Sequence, residues 1–364
     1  MVKKGLVDLS DNRRLSMSRA GTSRTLQDLC SSVFFRVLPW RFFRGGPHLC
    51  VSLLLIGVCV VPIHAQSPRH QHKSRHKAAA AKPAIDQAAI QTQVMLDRAG
   101  YSPGEIDGTM GTSTQRALDA FQKGGGTAST LPSDALTTYR ITDEDAAGPF
   151  TPDIPEDMAQ KSKLPSLGYS NLLEALGERF HASPTLLKRL NPHATFAAGE
   201  EIQVPNVAAA IAPVGPPRGK QSDTSDPATT TVTVRKSTSD LTVTDGSGHT
   251  LMYAPVTTGS EHDPLPIGEW KVNGVQKDPK FHYNPDLFWD AEPKDSKATL
   301  PPGPNNPVGV VWIDISRPHY GLHGTPEPSK IGKTESHGCV RLTNWDAMKL
   351  ASLVRPGTRV VFAE

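Results

Sequence analysis

The spacing of apolar residues changes character along this 364-residue chain. Ile85, Ala88, Ala89, Thr92, Leu96 and Ala99 recur with helical spacing, and Gly100 to Gly104 stop that helix. Thr112-Ser-Thr-Gln115 reads as a capping box opening a second helix that presents Leu118 and Phe121. Gly124 to Gly126 end it, and a third helix is only weakly marked. Further on, Ser170 or Asn171 caps a helix carrying Leu172, Leu173, Leu176 and Phe180. Ser183-Pro184 opens another, carrying Leu186, Leu187 and Leu190, which Asn191-Pro192 ends. A short strand follows over 198–205. From Thr230 the period becomes two, as in a half-buried strand. Segments 240–244 and 251–256 flank Asp245-Gly246-Ser247-Gly248, a hairpin turn. Strands are expected over 270–275, 308–315 and 359–362. One clear helix, over 345–353, carries Met348 and Ala351 on a face. The predicted fold class is therefore multidomain: a small all-α module, a small α+β module and a mainly-β domain at the C-terminus.

Composition supplies the boundaries. Residues 66–84 are basic, 141–165 acidic and proline-rich, and 207–228 rich in Ala, Pro, Gly and Ser; all three read as linkers. The modules between them span 85–140, 166–206 and 229–364. Net charge is +3 and aromatic residues make up 6%, which gives no reason to expect a nucleic-acid partner. Much of the basic charge precedes residue 80. The apolar run 49–61 ends at Pro62, with Ile63-His64-Ala65 after it. Its length suits the apolar region of an export signal better than a membrane span. Residues 1–65 are read as an export signal with a long basic start, which predicts a mature N-terminus near Gln66 and a periplasmic or envelope location. The competing expectation is an uncleaved N-terminus that associates with the membrane. Val58 argues against lipidation at Cys59. His70, His72 and His76 belong to the basic linker and lack a second ligand cluster, so no metal is expected there.

Chemistry concentrates near the C-terminus. Tyr320-Gly-Leu-His323-Gly324-Thr325 is followed closely by Ser336-His337-Gly338-Cys339-Val340-Arg341-Leu342. The remaining cysteines, Cys30, Cys50 and Cys59, lie in or before the export segment. Once that segment is removed Cys339 has no disulfide partner, and a lone thiol beside histidines reads as a nucleophile with its base. Either His323 or His337 satisfies the base requirement. The N–H groups of Gly338 and Cys339 suit an oxyanion hole. Arg341 suits a substrate carboxylate or an ion pair with Asp346, Tyr320 a substrate contact or a packing role, and Asn344 a substrate contact or the turn before the last helix. Glu327 and Glu335 read as solvated surface charge. No fourth ligand accompanies His323, His337 and Cys339, so neither metal nor cofactor is expected.

The cysteine motif, with Asn344 and Asp346 after it and His323-Gly324-Thr325 before it, resembles the signature of YkuD-type L,D-transpeptidase catalytic domains. Val256-Thr-Thr-Gly259, Leu265-Pro266-Ile267-Gly268-Glu269-Trp270 and the loop 301–309 extend the resemblance over residues 230–364. It implies a β-sandwich and a thiolate of Cys339 that attacks the bond between an L- and a D-centre in a peptidoglycan stem peptide. D-Alanine leaves, and the thioester passes to an amine. It also implies His323 as the base, oriented by the Gly324 carbonyl, with His337 in support. Ile106-Asp107-Gly108-Thr-Met-Gly111 within 85–140 resembles the three-helix peptidoglycan-binding type 1 module. Residues 166–206 resemble a degenerate LysM domain, whose family recognises N-acetylglucosamine-containing glycans. The expected partner is thus peptidoglycan, through stem peptides and glycan strands. Two alternatives stay open: an L,D-carboxypeptidase with water as acceptor, and a wall-binding protein without catalysis.

Overall fold

In the computed structural model, residues 85–127, 131–207 and 229–364 are described. The export segment, the 66–84 linker and nearly all of the 207–228 linker lie outside the described residues.

Helix α1 (Gln87–Arg98) is capped by Asp86, whose side chain accepts from the Ala89 N–H at 3.1 Å. Its buried residues include Ile90, Gln93 and Val94, while Ala88 and Ala99 are exposed, so the buried face is broader than the sequence pattern suggested. The reason is that α1 is covered on two sides. Ile90 and Val94 pack with Leu186 and Val207, whereas Leu96 packs with Tyr101 and Tyr253. Helix α2 (Thr112–Lys123) begins after Gly111 with no side-chain cap. The expected capping box does not form, because Thr112 is already inside the helix and Gln115 bonds forward to Asp119. Gln93 instead organises the loop between these helices. Its side chain donates to Asp107 Oδ1 (2.9 Å) and the Thr109 carbonyl (3.1 Å), and accepts from the Gly108 N–H (2.9 Å).

The next element corrects the predicted boundaries. In place of a third helix, β1 (Leu136–Arg140) forms. The supposed linker then folds into α3 (Asp143–Ala147) and α4 (Met158–Lys161). Helices α5 (Leu172–Arg179) and α6 (Pro184–Leu190), with caps Asn171 and Ser183, lead into β2 (Glu201–Pro205). β1 and β2 pair antiparallel, so the helix–helix–strand stretch gains its opening strand from the neighbouring module. The acidic segment is anchored by isolated apolar residues: Ile154, Met158, Leu164 and Leu167 pack against Phe281, Tyr283, Phe288 and Leu300. Burial of even a few such side chains holds a segment whose overall composition is that of a linker.

The C-terminal domain runs β3 (Thr231–Arg235), β4 (Asp240–Thr244), β5 (Thr250–Pro255), β6 (Gly268–Lys277), β7 (Phe281–Tyr283), β8 (Ala298–Leu300), β9 (Val311–Ile315), β10 (Gly321–His323), β11 (Val340–Arg341), α6's successor α7 (Asn344–Leu353), and β12 (Arg359–Ala363). Among the described residues one sheet has the order β11-β10-β9-β6-β12-β3-β4-β5, and β7–β8 is a separate hairpin. The long β6 pairs with β12 through its first half and β9 through its second, with a bulge at Val272/Gly274. A bulge bends and twists its strand. It lets the two halves of the sheet bury Val232, Val243 and Phe362 with Ile313, Leu322 and Val340 in one core. Ala347 and Leu350 of α7 join this core and Ala351 packs against it, while Met348, expected on the same face as Ala351, is exposed.

Candidate active site

β10 and β11 run parallel, with Leu322 opposite Val340 and His323 opposite Arg341. Leu322 and Val340 point into the core. Side chains alternate along strands, so His323 and Arg341 share the other face, with Gly321 two residues before His323 on it and Cys339 in the bend that leads into β11. Gly321 leaves room there: a Cβ at this position would come within 2.5 Å of the Trp312 ring. Trp312 of β9 pairs with His323 and stacks on it, with ring centroids 5.5 Å apart. Sequence reading did not single out Trp312, although its alternation with Val311 and Ile313 places it on the His323 face.

His323 is 4% exposed. Its Nδ1 bonds to the Gly324 carbonyl at 2.7 Å, as the resemblance implied. That bond assigns the proton to Nδ1 and leaves Nε2 as the basic nitrogen. Burial, with a smaller push from Arg341, lowers the imidazole to about 3. Burial also pushes the Cys339 thiol up to about 11, opposed by the Gly321 N–H and by Arg341. Both shifts favour the neutral forms, a thiol and an imidazole.

Gly338 holds φ +98°, and a Cβ there would lie 2.6 Å from the Tyr320 ring. Among the described residues the Gly338 and Cys339 N–H groups make no turn or loop hydrogen bond to backbone. Tyr320 lies against Gly338 with Arg317 over its ring. The Ser336 hydroxyl donates to the Cys339 carbonyl at 2.6 Å, and the Ser336 and Arg341 amides donate to the carbonyls of Thr258 and Thr257. These bonds clamp both sides of the cysteine loop to the segment after β5.

Arg341 forms no ion pair with another described residue. The expected pairing with Asp346 does not occur, since the Asp346 carboxylate accepts from Ser102 (2.8 Å) and Thr343 (2.7 Å). The nearest charged influences on the guanidinium are Cys339, Glu327 and Asp290. Asn344 is the residue that does not join the site. It is 2% exposed, accepts from the Val310 N–H (3.2 Å) and donates to Glu178 (3.1 Å) and the Pro304 carbonyl (3.2 Å). No polar atom of it is left for substrate. His337 bonds through Nε2 to Asp290 at 2.7 Å, edge-on to Phe288. Asp290 and Trp289, from the loop between β7 and β8, were not legible as site residues. Trp289 is 58% exposed and stacks on His262.

A family profile for the L,D-transpeptidase catalytic domain matches residues 229–362, and one described as "Putative peptidoglycan binding domain" matches 86–130. "Putative L,D-transpeptidase YqjB" of Bacillus subtilis (strain 168) is 30% identical over 139 residues, 36% of this chain and 70% of that protein. "Putative L,D-transpeptidase YkuD" of the same strain is 28% identical over 191 residues, covering 52% and 91%. Of the Bacillus licheniformis protein of the same description, the chain spans 36% of the length, at 52% identity over 59 residues. An L,D-transpeptidase structure from Mycobacterium smegmatis aligns with 36% of this chain and 58% of its own, at 18% identity and a TM-score of 0.31.

Proposed function

Because the chain belongs to the L,D-transpeptidase family, we propose that it cross-links peptidoglycan stem peptides through a thioester on Cys339. The observation that most supports this is the parallel β10–β11 pair, which sets the Cys339 loop beside a histidine whose Nδ1 is committed to Gly324. His323 Nε2 takes the thiol proton as sulfur attacks the carbonyl carbon between the L- and D-centres. The N–H groups of Gly338 and Cys339 receive the oxyanion. The C–N bond breaks, the imidazolium returns its proton to the departing D-alanine amine, and a thioester remains. An amine of a second stem attacks it, gives its proton to His323, and the thiol is restored.

Arg341 holds a substrate carboxylate, in keeping with its unpaired guanidinium. Tyr320 contacts the donor peptide from its place against Gly338. His337 supports the site by tying the Asp290 loop to the cysteine segment. The 85–127 helices hold the wall. The unit formed by α5, α6 and β2 with β1 as its paired strand is LysM-like, a reading supported by the antiparallel β1–β2 pair beside the two helices, although α3 and α4 are inserted after β1, and it contacts the glycan. Export places the enzyme in the envelope, with the N-terminus either cleaved or associated with the membrane. The test is mass spectrometry of disaccharide-tetrapeptides incubated with the purified chain. A dimer formed with loss of D-alanine is the expected product. Tripeptide alone would make water the acceptor, and no change with reduced Cys339 would remove the catalytic reading.

A further inference from the structure

Gly324 supplies the carbonyl that orients His323, and something must hold Gly324. A Cβ on Gly324 or Gly309 would overlap Asn344 Oδ1, so the Asn344 amide lies directly against both backbones. Its orientation is fixed by partners of opposite kind. The oxygen accepts from the Val310 N–H, and the nitrogen donates to the Pro304 carbonyl and to Glu178 Oε1. A flipped amide would turn its NH2 toward the Val310 N–H, donor against donor. Glu178 is the one side chain in this set. It belongs to α5, outside the catalytic domain, and it lines a cavity of about 990 Å³ at the junction of α1, α5 and α7.

From this geometry we infer that Glu178 is a positioning residue for His323, acting through Asn344 and Gly324, so that the LysM-like unit completes the catalytic site rather than merely tethering it. The inference rests on His323 being the base. Without an acceptor at 178, the Asn344 nitrogen keeps only Pro304, which loosens the hold of the amide on Val310 and Gly324. Among the described residues the Glu178 carboxyl has no other side-chain hydrogen bond. Glu174, Glu105 and Asp346 act on it with charges of its own sign, while Arg98, Arg179 and Lys349 line the same cavity without a hydrogen bond to its carboxyl among the described residues.

The test compares Glu178→Gln, Glu178→Ala and Asn344→Asp in the full chain. Gln offers Asn344 a carbonyl acceptor; Ala offers nothing; Asp at 344 sets a carboxylate oxygen against the Pro304 carbonyl. Two readouts do not depend on which peptide is turned over: the His323 Nδ1–H resonance in proton NMR, and the rate of Cys339 alkylation by iodoacetamide across pH. Glu178→Ala and Asn344→Asp are expected to broaden or move the Nδ1–H signal and change the alkylation profile. They should also lower kcat on muropeptides about tenfold, the size of one hydrogen bond. Glu178→Gln should restore all three. Should Glu178→Ala not fold, Glu178→Asp, one methylene too short to reach Asn344, takes its place. An alanine or aspartate variant with the wild-type signal and profile would overturn the inference, as would a Gln variant as impaired as Ala. If wild type turns over no muropeptide while the NMR and alkylation effects appear, the substrate reading falls and the positioning role stands.

Discussion

At the scale of single residues, the site is defined by what is charged before substrate arrives. Cys339 pushed up to about 11 and His323 pushed down to about 3 favour a resting thiol and a neutral imidazole over an ion pair. Alkylation of Cys339 by iodoacetamide should therefore climb about tenfold per pH unit from pH 7 to 10, as the thiolate fraction of a high-pKa thiol does. A plateau between pH 5 and 8 would mean that the ion pair is preformed. Arg341 favours the thiolate and disfavours the imidazolium. Arg341→Ala should thus slow alkylation at pH 8, and Arg341→Lys should spare it. On substrate both variants should lose, because an ammonium lacks the fork that grips a carboxylate. A charge-assisted hydrogen bond of about 1.5–3 kcal/mol sets the loss in kcat/KM at one to two orders of magnitude. Equal kcat/KM for wild type and Lys would remove Arg341 from carboxylate recognition.

At the scale of elements, the cysteine loop is built from a left-handed turn between a clamp and a strand. Gly338 at φ +98° against Tyr320 leaves no place for a side chain. Gly338→Ala should cost about 1–3 kcal/mol in urea unfolding, the range for such backbone strain. It should also abolish acylation by moving the amide at 338; a variant of wild-type stability and rate would show that the turn relaxes freely. This motif was legible in the sequence because its chemistry is local: glycine, cysteine and histidine lie within one loop. The strands were legible too, since Val232 with Val234 and Val360 with Phe362 alternate in and out. What escaped was set by distant partners. β1 looked like the end of a helical module because its ladder partner lies in residues 201–205. The 141–165 stretch looked like a linker because its anchors are single apolar residues filling a hole beside β7 and β8. Asn344 looked available to substrate because nothing nearby in sequence announces Glu178, Val310 and Pro304 as its partners.

At the scale of the whole molecule, docking three small units buries carboxyl groups where they meet. Ser102 before α2 bonds to Asp346 on α7, the Ile106 N–H donates to the His181 carbonyl, and Asn305 donates to Glu174. Burial raises Glu178 to about 8, Glu105 to about 7 and Asp346 to about 6. A carboxyl raised in the folded state keeps its proton after the unfolded chain has lost it, so stability falls as pH rises between the two values. His323 works the other way. Its lowered value means the unfolded chain gains a proton first as pH falls, and its contribution is complete above the ordinary imidazole value of about 6.5. The two effects oppose each other below pH 6.5, so the informative window is pH 6.5 to 8. There Asp346 has mostly titrated, Glu105 is finishing, and Glu178 alone still holds its proton at the upper end. Wild type should lose about 1 kcal/mol across that window, after allowance for the partial exposure of Glu178. That corresponds to about 1–2 °C in Tm for a chain of this size. Glu178→Gln, which keeps an acceptor for Asn344 but has no proton to lose, should flatten most of that slope in scanning calorimetry at several pH values. If the variant falls as steeply as wild type, the junction carboxyl is hydrated and ionised at neutral pH, and the units meet across water rather than across a dry contact.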